Sequence, residues 1–187
     1  QAKKFGFDDS SITIPMTVAT SQFPTGLTQA QVAQSAIGQF SVTASPVQMA
    51  MVAAAIANGG TLMKPYLVDT VRSADLSVVE TTTPEVYSQA ISQSTADTLT
   101  TMMESVVTSG SGTAAQISGV AVAGKSGTAE VPNSSPNAWF TSFAPADDPQ
   151  VAVAVFVKSG GDLNDEATGG KVAAPIAKAV MEAVLGG

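Results

Sequence analysis

One segment concentrates the groups that could do chemistry. Gly124-Lys125-Ser126-Gly127-Thr128-Ala129-Glu130 sets a cation and two hydroxyls around a glycine, in a chain with only 8 Lys and Arg. If the segment is extended, alternation puts Ser126 and Thr128 on one face and Lys125 on the other. Gly127 removes the side chain between the hydroxyls, so a ligand's backbone could lie against the strand edge. Backbone N–H groups there could stabilise a developing oxyanion, and a fixed lysine supplies positive potential. The plain alternative is a strand carrying a solvated lysine and two small hydroxyls.

Histidine and cysteine are both absent. No Ser-His-Asp or Cys-His dyad can form, and no zinc site built on imidazole or thiolate. Acid–base chemistry near neutral pH is left to Lys, Asp, Glu or Tyr. With 15 acidic residues the formal net charge is −7, and this few cations argue against nucleic acid as a partner. The 187 residues, 44% hydrophobic and 12% charged, predict one folded domain. A cysteine-free chain suits an export route without disulfide chemistry. The longest apolar run, Met49 to Ala57, is about half of a membrane span. The opening Gln1-Ala-Lys-Lys-Phe-Gly-Phe lacks a signal peptide's apolar core. Phe5 and Phe7 read as packed positions, so the chain is expected to be a fragment.

The elements that must position the lysine segment follow from local signals. Residues 1–27, broken by Pro15, Pro24 and Gly26, read as loop with one short strand. Thr28 caps a brief helix that Gly38 stops. Ser45 opens a longer one, with Pro46 in the first helical position and Gln48 completing a capping box. Asn58-Gly59-Gly60 ends it, and Met49, Val52, Ala53 and Ile56 form its apolar stripe. Tyr66–Val71 and Leu76–Val79 predict a hairpin over Ser73-Ala74-Asp75. Ser94 is expected to cap a helix that runs to about Thr108 and stops at Ser109-Gly-Ser-Gly112. Val120–Val131, Ala138–Ala144 and Val151–Lys158 predict three strands, spaced so closely that they can only be antiparallel neighbours. Lys171–Leu185 is a last amphipathic helix, with Pro175 tolerable in its first turn.

The remaining candidates have plainer explanations. Asp8-Asp9 could be a metal or acid pair, but capping or a solvated turn accounts for it. Asp162, Asp165 and Glu166 lack the ligand spacing of a calcium site. Trp139 beside Phe140 reads as sheet packing, and Met49, Met51, Met102 and Met103 as core filler.

In context the lysine segment gains specificity. Gly-Lys-Ser-Gly-Thr-Ala-Glu, followed by Asn137-Ala-Trp-Phe-Thr-Ser-Phe-Ala-Pro145 and Gln150-Val-Ala-Val-Ala-Val-Phe-Val157, resembles the third motif region of penicillin-binding proteins. Ile37-Gly-Gln39, Ser45-Pro-Val-Gln-Met-Ala50 and Ala55-Ile-Ala-Asn-Gly-Gly60 resemble the preceding helix of class B transpeptidases. Gly169-Gly-Lys-Val-Ala-Ala-Pro-Ile176 resembles their closing helix.

The resemblance implies an α+β fold: an antiparallel sheet flanked by helices on both faces, like serine β-lactamases, present as the C-terminal half of the domain. It implies peptidoglycan D,D-transpeptidation by serine acyl transfer on D-Ala-D-Ala stem peptides, with β-lactams as inhibitors and no cofactor or metal. Lys125 corresponds to the family's catalytic lysine, which supports the proton network of the second motif. Ser126, Gly127 and Thr128 correspond to its substrate-binding positions, Ser126 holding the terminal carboxylate and the Thr128 N–H lining the oxyanion hole. The family's nucleophile lies in Ser-x-x-Lys, followed by Ser-x-Asn, both upstream of the Lys-Ser-Gly strand. No serine here stands three residues before a lysine; Thr61 before Lys64 and Thr168 before Lys171 are the nearest. Ser135-Pro-Asn137 spells Ser-x-Asn but follows the strand and reads as a hairpin turn. The nucleophile is therefore expected on an N-terminal segment outside this chain. Division or elongation machinery would be partners, at the extracytoplasmic face of a bacterial plasma membrane, anchored by a segment not in this chain. The alternatives are a β-lactam or muropeptide sensor, a non-catalytic family member, or a D,D-carboxypeptidase or β-lactamase.

Overall fold

The structure, a computed structural model, describes residues 1–186. Its helices begin where small polar residues meet apolar runs. The hydroxyl of Thr28 accepts the Gln31 N–H and the Gln31 amide reaches back to the Thr28 N–H, a complete capping box that opens α1 (Gln29–Ala36). Ser45 caps α2 (Pro46–Ala57) through the Gln48 N–H at 3.2 Å. The expected reciprocal half of that box does not form. The Ser45 N–H is already taken by the Ser21 hydroxyl, and the buried Gln48 amide donates to the Phe5 carbonyl instead. An amide at the third helical position thus ties the N-terminal segment to α2. Helix α2 ends at Asn58, and Gly59 and Gly60 follow with φ of 59° and 88°, a region a β-carbon disfavours.

Strands β1 (Thr61–Met63) and β4 (Val86–Gln89) pair antiparallel, and between them β2 (Thr70–Arg72) and β3 (Val78–Thr81) form a second, separate pair. The expected hairpin is present, but its first strand is confined to Thr70–Arg72 rather than reaching back to Tyr66. Sequence patterning does not reveal the β1–β4 pair, because strands of 3 and 4 residues carry too little alternation. Ser92, not Ser94, caps α3 (Gln93–Thr108), its hydroxyl accepting the Thr95 N–H.

The main sheet is the anticipated meander: β5 (Ala123–Val131), β6 (Ser134–Ala144) and β7 (Val151–Val157), in the order β5-β6-β7, antiparallel throughout. The turn between β5 and β6 falls at Pro132-Asn133, where Asn133 takes a φ of 57°. Ser135-Pro136-Asn137 therefore lies inside β6 and not in the turn, beside a register shift between Ala129 and Val131. That irregularity accommodates a proline that has no N–H to give the ladder. The Asn137 side chain accepts the Ser159 N–H, and the Ser135 hydroxyl donates to Asp165 at 2.7 Å. The serine and asparagine thereby hold the 158–166 loop, which accounts for Asp165 in the acidic run.

Two large side chains of β6 anchor the two faces. Phe140 is fully buried among Val107, Ala115, Val122, Val153, Ala173, and the residues Ala174, Ala177 and Met181 of the C-terminal helix, α4 (Ala174–Leu185). Phe143, also fully buried, packs on the opposite face with Ile56 of α2, Met103 of α3 and Ala123. Helices thus cover both faces of an antiparallel sheet, as expected. Met51 and Ala55 belong to a third cluster with Leu62 and Ala90, so α2 is buried on two sides rather than along one stripe. Met51 and Met103 fill core, Met49 is half-buried, and Met102, expected inside, is exposed. Pro175 occupies the first turn of α4, after a π-type turn over Gly169–Ala173 that the Thr168 hydroxyl caps. Among the described residues no helix is long and apolar enough to cross a membrane.

Candidate active site

The lysine segment lies in β5, an outer strand of the main sheet. Helix α3 covers the strand's first residues: a Cβ on Gly124 would come within 2.6 Å of the Phe140 ring and 3.1 Å of Val107. Beyond Gly124 no strand of the described residues pairs with that edge.

Cross-strand register sets the faces. Ser126 lies opposite Phe140 and Thr128 opposite Ala138, whereas Lys125 lies opposite Thr141 and Gly127 opposite Trp139. Directly opposed residues share a face, so Ser126 and Thr128 stand together and Lys125 stands on the reverse, as alternation requires. Gly127 belongs with Lys125, so its missing Cβ clears the lysine face, not the space between the hydroxyls. A Cβ there would meet that of Trp139 at 3.3 Å. Trp139 packs its ring on Phe156, centroids 4.6 Å apart, which is sheet packing as read from the sequence.

The backbone of the free edge is partly engaged. The Lys125 ammonium bends back to donate to the Ser126 carbonyl at 2.5 Å, and the Gln39 amide donates to the Thr128 carbonyl at 3.5 Å. Carbonyls of residues two apart on a strand point the same way. In an antiparallel ladder a residue exchanges both its N–H and its C=O with one partner, or neither. The N–H groups of Ser126 and Thr128 therefore emerge at this edge beside the two carbonyls. A cation, two hydroxyls and two outward N–H donors within four residues suit an anionic, extended ligand laid along the strand.

Two features of the site escaped sequence reasoning. The hydroxyls of Ser111 and Ser126 lie 2.6 Å apart; Ser111 belongs to the Gly-rich stretch whose sequence signals only the end of α3. Gly169 and Gly170 seat the turn before α4 directly on this region. A Cβ on Gly169 would fall 2.0 Å from the Trp139 carbonyl oxygen, and one on Gly170 1.9 Å from that of Ser111. Paired glycines before a helix were the available signal, but the surface they approach is far off in sequence.

Asp8 and Asp9 have structural partners. Asp8 accepts the Phe23 N–H, while Asp9 accepts the Ser11 N–H and the Tyr87 hydroxyl at 2.6 Å. Hydrogen bonding to the Asp9 carboxylate pushes the Tyr87 phenol up to about 12, and donors from Ser11 and Tyr87 hold Asp9 below the usual carboxylate range. The two aspartates make separate ties rather than an acid pair.

The fold and the site together define an α+β domain, an antiparallel sheet sheathed by helices with Lys-Ser-Gly-Thr on its outer strand. A family profile, the penicillin binding protein transpeptidase domain, matches residues 1–182, and the chain belongs to that family. The peptidoglycan D,D-transpeptidase PbpA of Mycolicibacterium smegmatis is 45% identical over 190 residues, covering 98% of this chain and 38% of that protein. Stage V sporulation protein D of Bacillus subtilis is 35% identical over 159 residues, covering 80% of this chain and 24% of that protein. Among solved structures, the ceftriaxone acyl-enzyme complex of penicillin-binding protein A from M. tuberculosis superposes with a TM-score of 0.91 at 40% identity, covering 98% of this chain and 42% of that one. The chain thus spans well under half the length of these relatives.

Proposed function

We propose that this chain is the C-terminal part of the transpeptidase domain of a peptidoglycan D,D-transpeptidase. The carrying observation is the outer edge of β5, where Lys125, Ser126 and Thr128 stand in the family's motif order and no strand of the described residues is paired. The share of the relatives that the chain spans, and the lack of any Ser-x-x-Lys in it, support a nucleophile carried by an N-terminal portion of the same domain.

In the complete enzyme the serine oxygen attacks the carbonyl carbon of the penultimate D-Ala of a stem peptide. The bond to the terminal D-Ala breaks, and that residue leaves as an amine carrying the proton the serine gave up. An amine of a neighbouring strand then attacks the ester, forms the cross-link, and returns a proton to the serine. Within this sequence Ser126 and Thr128 anchor the substrate's terminal carboxylate with charge-assisted hydrogen bonds. The Thr128 N–H faces the developing oxyanion, and the Lys125 ammonium leaves its resting bond to the Ser126 carbonyl to support the proton network. β-Lactams acylate the same serine, their carboxylate taking the place of the peptide's. Such an enzyme works at the extracytoplasmic face of the plasma membrane, held by a membrane anchor outside this sequence, within the division or elongation machinery.

Replacing Lys125 with Ala in the intact protein is expected to lower the rate of fluorescent penicillin labelling by roughly a hundredfold or more. Near-normal labelling of a folded Lys125→Ala protein would remove this lysine from the mechanism.

A further inference from the structure

We infer that Ser111 is a positioning residue for Ser126, donating its hydroxyl proton to the Ser126 oxygen so that the Ser126 proton turns outward to a bound carboxylate. The inference rests on the transpeptidase reading and deepens it by assigning a role to a residue outside the motif.

The geometry carries it. The two oxygens are 2.6 Å apart, inside the range of a good O–H···O bond, and each is the other's side-chain partner among the described residues. A serine hydroxyl has one proton to give and two lone pairs to accept with. If Ser126 spent its proton on Ser111, it would meet an incoming carboxylate with lone pairs alone, and the contact would be repulsive. The opposite polarity gives Ser126 a donor behind it and leaves its proton free, and a hydroxyl that accepts a hydrogen bond donates a stronger one.

Ser111 is also held in place from three sides. Gly110 and Gly112 both donate their N–H groups to the Val106 carbonyl, at 3.1 and 2.9 Å, wrapping the loop onto the end of α3. A Cβ on Gly112 would come within 3.1 Å of Phe140 and Val106, and one on Gly170 would strike the Ser111 carbonyl. The loop is therefore pressed between the core phenylalanine and the turn before α4, with glycine at both contacts. The Ser111 side chain itself is exposed and Ser126 half-buried, so both hydroxyls are reachable by ligand while their backbones are fixed.

The test is a double-mutant cycle in the intact, nucleophile-bearing protein, reading acylation by a fluorescent penicillin with its carboxylate free. Ser111→Ala is expected to weaken acylation efficiency about threefold to tenfold, the loss falling on the concentration dependence and not on the rate at saturation. Ser111→Thr restores the hydroxyl and the efficiency. In a Ser126→Ala background, Ser111→Ala is expected to add no further loss, with melting temperatures unchanged across the set. Independent losses that add in the double variant, a loss confined to the saturated rate, or no effect of Ser111→Ala would overturn the role of Ser111 while leaving the transpeptidase reading intact. If the wild-type protein takes up no penicillin at all, that reading fails, and the Ser111 role with it.

Discussion

Lys125 and Ser126 differ from their neighbours less in what they are than in what their strand leaves open. Hydroxyls and lysines are common on sheets, and most spend their hydrogen bonds on water. Here the lysine rests on a carbonyl of its own strand, and the serine rests on a second serine fifteen residues earlier. A contrasting serine lies nearby. Ser142, opposite Gly124 on β6, is fully buried with its hydroxyl unpartnered. A buried donor without a partner costs stability, so Ser142→Ala is expected to stabilise the intact protein by about 1 kcal/mol. A denaturant melt checks it; a loss of stability would mean that the hydroxyl is hydrogen-bonded in solution.

Elements meet at glycines where a functional surface must be thin. Gly169 lets the turn before α4 rest on the backbones of β5 and β6, where a Cβ would sit 2.0 Å from the Trp139 carbonyl oxygen and 2.8 Å from the Gly127 nitrogen. Neither atom belongs to a flexible side chain, so the helix or the sheet must move. Gly169→Ala is expected to cost roughly 1–3 kcal/mol and to slow penicillin acylation through displacement of β5, read together by thermal melting and labelling. Unchanged melting and labelling would mean that α4 tolerates a shift and does not position the lysine strand. The same logic explains why the capping box at Ser45 was only half right. Local spacing allowed Gln48 to reach back, but a distant carbonyl at Phe5 and a distant hydroxyl at Ser21 claimed both groups.

At the scale of the molecule, apolar surface remains open. β7 pairs with β6 alone, leaving its outer edge free among the described residues. Beside it a groove of about 600 Å³ runs between α2 and β7, lined by Val47, Ala50, Met51, Ala54, Val151 and Ala152. The hairpin of β2 and β3 also exposes Val71, Leu76, Val78 and Val79. A free strand edge next to an apolar groove favours association. If the rest of the transpeptidase domain covers these surfaces, the chain expressed alone should bind a hydrophobic dye or aggregate. An isolated chain that stays monomeric, melts cooperatively and leaves the dye dark would count against the half-domain proposal.

The sequence by itself determined what depends on neighbours within a few residues. Thr28 and Ser45 as caps, the glycine stops, the three adjacent antiparallel strands, and the Lys-Ser-Gly-Thr order with its two faces all follow from short spacings whose stereochemistry permits few outcomes. The absence of histidine and cysteine narrowed the chemistry before any fold was considered. Only the tertiary structure decided which strand edge stayed unpaired, that Ser135-Pro136-Asn137 runs within a strand and fastens a loop, and that Met102 faces outward. It alone placed Ser111 on Ser126 and Gly169 on Trp139. Those contacts join residues between 15 and 43 positions apart in four instances here, counting Ser111–Ser126, Ser159–Asn137, Ser135–Asp165 and Gln48–Phe5. Their geometry comes from the packing of whole elements, around Phe140 and Phe143 in the main sheet and around Met51 and Leu62 beside Phe5, a constraint that no local pattern of residues encodes.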